Sequence, residues 1–134
     1  RHEAERKALK DFFNQKCTVE EYDKIAFENH RKVKQEFFEA LKGDYDIVMG
    51  YFGLADVIGH LSFGIKPKMK LVYEELDRIT AGVRENIKDK YLSYHGMKPI
   101  GRFGDHSNYG FWSVNLHKDV FNPKLTQLFK LILE

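Results

Sequence analysis

Near the middle of the chain, Ile47, Val48 and Met49 run on to Tyr51 and Phe52 without polar alternation. A strand with one wet face alternates apolar and polar residues, whereas a strand covered on both faces reads as a continuous apolar run. The stretch "YDIVMGYF" therefore predicts a strand of a parallel sheet lying between helices, and it constrains the fold more than any other feature.

The flanking patterns supply the helices. "EAERKALKDFF" places Ala4, Ala8, Leu9, Phe12 and Phe13 at helical spacings, which predicts a helix over residues 3–15. Thr18 and Glu21 form a T-x-x-E capping box, and Val19, Tyr22, Ile25, Ala26, Val33, Phe37 and Leu41 trace an apolar stripe toward a stop at Gly43. "GLADVIGHLSFG" reads as a loop or irregular segment. Pro67 opens a further helix with Met69, Val72, Leu76, Ile79 and Val83 on one face. "KYLS" and "GFWSVNL" are short strand candidates, separated by a glycine-rich loop. Asn122 as N-cap and Pro123 at the first helical position predict a last helix. This order predicts an α/β fold, a mostly parallel sheet flanked by helices, within a single domain spanning 1–134.

Composition narrows the function classes. With 43% hydrophobic and 31% charged residues over 134 positions, the chain is neither disordered nor collagen-like. A net charge of +2, with no face-long basic stripe, argues against a nucleic-acid duplex as partner. No apolar run is long enough to cross a bilayer, so no membrane partner is expected. Cys17 is the one cysteine and has no internal disulfide partner, which points to a reducing, cytoplasmic setting. The opening "RHEAERKALK" lacks an initiator methionine and already lies within a helical pattern, so the chain reads as part of something longer.

Two constellations carry chemistry. Asp56 and His60, four residues apart, can face one another across a single turn. Their oxygen and nitrogen donors suit zinc, manganese or iron. The competing reading is a helix cap and a packed histidine. His95 and His106 bracket Gly96, Gly101 and Gly104, whose conformational freedom lets a loop fold back and bring both imidazoles together. Lys98 and Arg102 in that loop can meet a substrate phosphate or can simply solvate it. Asp105 can orient an imidazole or cap a turn. His2, His30 and His117 read as solvated. Phe111 and Trp112 can stack on a nucleobase, although an aromatic pair entering a strand also suits a core.

In order along the chain, "YDIVMGYFGLADVIGHLSFG" and "HGMKPIGRFGDHSNYGFWS" resemble the type I phosphodiesterase and nucleotide pyrophosphatase family of the alkaline phosphatase superfamily, its compact archaeal-type members above all. The likeness covers roughly residues 44–115. It rests on D-x-x-x-H, then H-G, then H-S in sequence. It implies two divalent ions, zinc foremost with manganese or iron possible, at the edge of a parallel sheet. Asp56, His60 and His106 match the ligands of one ion, and His95 matches a ligand of the other. Tyr94 stands where that second ion would take an aspartate. A tyrosine ligates as phenolate, and its ordinary pKa of about 10 makes it less ready than a carboxylate.

The resemblance further implies metal-dependent hydrolysis of phosphodiester or pyrophosphate bonds in a phosphorylated small molecule or nucleotide. Two cations about 4 Å apart would activate a hydroxyl nucleophile and neutralise phosphoryl charge. That nucleophile is expected upstream of this chain. Thr18 has a capping role, and Ser62, Ser93, Ser107 and Ser113 sit in no nucleophile turn. The alternatives are a cofactor-independent phosphoglycerate mutase of the same superfamily and a non-catalytic metal-binding domain.

Overall fold

The computed structural model describes residues 2–86 and 91–114 together with Lys124, Gln127 and Lys130, leaving aside the side chains of residues 86, 91–95, 111, 112 and 114. Four helices precede a hairpin: α1 (Glu3–Phe13), α2 (Val19–Ala40), α3 (Leu54–Ser62), α4 (Lys66–Asn86), β1 (Tyr91–Ile100) and β2 (Phe103–Val114). The expected parallel sheet is absent from the described residues. The one sheet there is two-stranded and antiparallel, so the domain is mostly helical rather than α/β.

Two segments of the chain depart from the expected sheet. Residues 44–52 form no strand, and no backbone hydrogen bond joins them to another described residue. Tyr45, Ile47, Met49 and Tyr51, the odd-numbered positions of the run, are instead exposed. The place expected for a buried strand is taken by α3, read from sequence as a loop. Leu54, Ala55, Ile58, Leu61 and Ser62 recur at helical spacing and are all buried. A helix that is apolar almost all round belongs in the interior. Here Leu54, Ala55 and Ile58 pack with Ala26 of α2 and with Met69 and Val72 of α4, while Leu61 packs with Ala8 of α1 and Tyr22.

The other helices follow their sequence signals. At the start of α2, Glu21 N–H donates to Thr18 Oγ1 at 3.2 Å and Thr18 N–H donates to Glu21 Oε2 at 2.8 Å, which completes the capping box. The glycine-rich stretch is continuous hairpin, closed by a two-residue turn at Gly101 and Arg102 between the paired Ile100 and Phe103. Gly101 has φ of 59°, the left-handed value that a glycine at the first turn position provides. The expected final helix from Asn122 falls mostly outside the described residues. No helix among them is long and apolar enough to cross a membrane.

His30, read as solvated, is 5% exposed on the inner face of α2, where its Nε2 lies 3.2 Å from Glu75 Oε1. Burial pushes its pKa down, because the charged imidazolium loses hydration that Glu75 replaces only in part. Burial works to raise the Glu75 pKa, but hydrogen bonds from Lys34, His30 and Arg78 hold the carboxyl below its ordinary value. In both cases the unfolded chain binds the proton more readily, so stability present at neutral pH is lost on acidification. We expect the melting temperature to fall as pH drops below about 6.5, the ordinary histidine value. His30→Gln should flatten the first part of that fall, as thermal melts across the range would show. An equal slope in parent and variant would remove His30 as the cause.

Candidate metal centre

The site is built where β2 lies on α3. Asp56 sits in the first turn of α3, where an anion is favoured by the helix dipole, and His60 follows one turn later on the same face. The third side chain comes from the hairpin. Within β2, Gly104 and His106 are two residues apart and so share a face, the face applied to α3.

Glycines set this approach. A Cβ on Gly104 would stand 2.7 Å from the Gly59 carbonyl oxygen and 2.7 Å from Phe63 Cβ. A Cβ on Gly59 would meet Met97 Sδ at 2.4 Å. Strand and helix backbones therefore touch at a seam that side chains would hold open. Gly96 has a parallel role, since Tyr109 O would lie 2.3 Å from an added Cβ. This is where β2 bulges between the His95–Gly110 and Met97–His106 pairs.

With the seam closed, His106 Nε2 lies 2.9 Å from Asp56 Oδ1, and His60 Nε2 lies 3.4 Å from the same oxygen. The two imidazole rings are 5.3 Å apart, centre to centre. One donor atom from each residue falls within 4.8 Å of the others. A cation bonded at about 2.1 Å accepts donors up to about 4.2 Å apart. Both pairs to Asp56 meet that limit. One carboxylate and two imidazoles form a donor set of the borderline kind that zinc, manganese and iron accept. In donor type these three residues suit one of the two ions that the resemblance implied.

The other sequence candidates are placed elsewhere. Lys98 pairs across the hairpin with Asp105, Nζ to Oδ2 3.9 Å, on the strand face opposite His106. The Asp105 carboxylate accepts from the His106 backbone N–H at 2.8 Å rather than from the imidazole. Arg102 is at the hairpin turn, with its guanidinium 5.4 Å from the Phe103 ring centre. The His95 backbone pairs with Gly110, and its side chain, like that of Tyr94, is outside those described. Ser107 Oγ donates to Tyr109 O at 2.6 Å, and the fully buried Ser62 accepts from Lys68 Nζ at 3.1 Å.

Sequence reasoning passed over one neighbour of the site. A cleft of about 220 Å³ opens beside Asp56 and His60, lined from α1 by His2, Glu5, Arg6 and Leu9 and closed by Tyr22 and Tyr51. His2 is half-buried here, with Nδ1 2.7 Å from Glu5 Oε2 and its ring edge-on to Tyr51. Burial, then the negative charges of Asp56 and Glu5, raise the Tyr51 pKa and keep its hydroxyl protonated as a donor. Only the third dimension brings α1 here, since Arg6 and Asp56 share no sequence motif. Compared with protein-family models, curated proteins and solved structures, the chain finds no match in any of the three.

Proposed function

We propose that the chain serves metal-dependent hydrolysis of phosphodiester or pyrophosphate bonds, with Asp56, His60 and His106 holding a divalent ion, zinc foremost. The observation that supports this is the convergence of those three side chains, from α3 and from a hairpin some fifty positions away along the chain. A bound divalent ion supplies an activated water and neutralises phosphoryl charge. Asp56 contributes the anionic ligand and holds both imidazoles toward one point. His106 brings the hairpin into the site. A second ion, with His95 among its ligands, belongs to the same reading, and so does a cytoplasmic setting for the free Cys17.

The nucleophile in this reading comes from outside the chain, as the family resemblance implies, and Thr18, Ser62 and Ser107 are engaged in local hydrogen bonds. That engagement also favours a second reading, a non-catalytic metal-binding domain. Calorimetric titration with Zn2+ tests the shared metal claim. The parent should bind, and His60→Ala should weaken binding by at least about tenfold. Parent and variant binding alike would remove the site. Hydrolysis of a nucleotide phosphodiester by the protein, once a nucleophile-bearing segment is supplied, separates enzyme from binding domain.

A further inference from the structure

Arg6, an exposed residue of α1, lines the cleft one residue after the buried Glu5. The ion pairs of α1 use His2 and Lys7, and the Arg6 guanidinium has no carboxylate partner among the described residues. Glu5, the nearest acid in the chain that lines the cleft, is already committed: one oxygen faces His2 at 2.7 Å and the other accepts from Asn29 at 2.8 Å. The Tyr22 hydroxyl is also committed, donating to Val57 O at 2.7 Å. Tyr51, folded over Gly53, has a hydroxyl with no partner among the described residues. The lining thus includes an arginine and a tyrosine whose polar ends are unengaged among the described residues, with Asp56 and His60 beside them.

We propose that this cleft is a phosphoryl-binding subsite. Arg6 and the Tyr51 hydroxyl hold non-bridging oxygens of a phosphoester or pyrophosphate, and its remaining oxygens face the metal position at Asp56, His60 and His106. The proposal rests on the metal reading above. A guanidinium presents parallel N–H donors in a planar fork that matches phosphate oxygens, and its charge persists at any physiological pH. At about 220 Å³ the cleft is smaller than the roughly 300–1,000 Å³ that encloses a drug-sized ligand. It takes the phosphoryl group and little more, so the group esterified to it projects into solvent. Recognition is therefore of phosphate, with little discrimination among the groups it carries.

Calorimetry with inorganic phosphate and with AMP, on the chain with and without one equivalent of Zn2+, tests this. Phosphate and AMP should bind the Zn2+-loaded parent within about threefold of each other, since a cleft of this size encloses only the shared group. Arg6→Ala should weaken both by about tenfold or more, and Arg6→Lys by less, because charge remains but the fork is lost. Tyr51→Phe keeps the ring wall and should weaken both by about threefold, the worth of one hydrogen bond. Zn2+ affinity should be unchanged in all three variants, which separates this subsite from the metal centre. Phosphate binding by Arg6→Ala equal to the parent's overturns the proposal, and so does AMP binding more than about tenfold tighter than phosphate. If the parent binds no Zn2+, the metal reading fails by itself. The metal-free titration then decides the subsite: binding that depends on Arg6 sustains it, and its absence overturns it.

Discussion

Asp56→Ala will lower affinity for Zn2+ by about a hundredfold or more and leave the fold nearly as stable as before. Losing a group that merely orients a metal ligand costs about 10–100-fold in affinity, so losing the one anionic ligand sits at or beyond the upper end. The stability side is small because these contacts are partly wet: the His106 side chain is 53% exposed and that of His60 is 29% exposed. Ion pairs and hydrogen bonds in such settings contribute about 0–1 kcal/mol. Asp56→Asn is the sharper probe, since it keeps the shape and an acceptor oxygen while removing the charge. Its Zn2+ affinity should fall between those of parent and Asp56→Ala. If Asp56 served only to dock the hairpin, both variants would lower the melting temperature and leave the metal isotherm unchanged. Melting curves beside calorimetry therefore tell a ligand from a strut.

The nearness of Asp56 and His60 was legible in the sequence in a way that the sheet was not. Asp56 and His60 are four residues apart, and any helix places such a pair on one face. Helical periodicity likewise marks α1, α2 and α4, where apolar residues recur over several turns and Thr18 with Glu21 marks a start. It is weak over α3, whose nine residues give only about two and a half turns of pattern, with Gly53 before them and Gly59 inside them. Gly59 usually weakens a helix, yet here it admits Met97 and the strand carrying Gly104. The run at residues 47–52 misled for the converse reason. Apolar residues in sequence state what favours burial, but here Leu54, Ala55, Ile58 and Leu61 of α3 are the ones buried while Ile47, Met49 and Tyr51 are exposed. The hairpin was hidden among glycines that signal a loop equally well. Arg6 had no signal at all, because its neighbours in space come from distant parts of the chain.

A second large effect is expected at the seam. Gly104→Val will destabilise the fold by about 1–3 kcal/mol, the usual cost of forcing extra carbon into a packed contact. The added Cβ meets the Gly59 carbonyl oxygen and Phe63 Cβ, neither of which can turn aside by changing a rotamer. The strand must move away from α3, and it carries His106 with it two residues later. Zn2+ affinity should therefore fall in a variant that touches no ligand. A melting temperature lower by about 5 °C or more would register the strain. Gly59→Ala makes the informative contrast. Its Cβ meets the Sδ and Cε of Met97, the far end of an adaptable side chain, so stability and affinity should both fall less. Equal melting temperatures for parent and Gly104→Val would show that the close backbone approach is not needed.

The segment from residue 44 to residue 52 divides the molecule's chemistry as well as its chain. Its amides are bonded to no other described backbone group, and its odd-numbered apolar side chains face water. Exposed connections of this kind are where a protease cuts first and where amide hydrogens exchange fastest. A nick there would leave Asp56, His60 and His106 on one fragment and Arg6 on the other. Ala26 of the first fragment remains packed with Leu54, Ala55 and Ile58 of the second, and Ala8 and Tyr22 remain packed with Leu61. The cut protein would thus hold together as a two-piece complex. The proposed cation ligands and the arginine of the proposed anion subsite would then be reassembled by apolar packing alone, without a peptide bond between them.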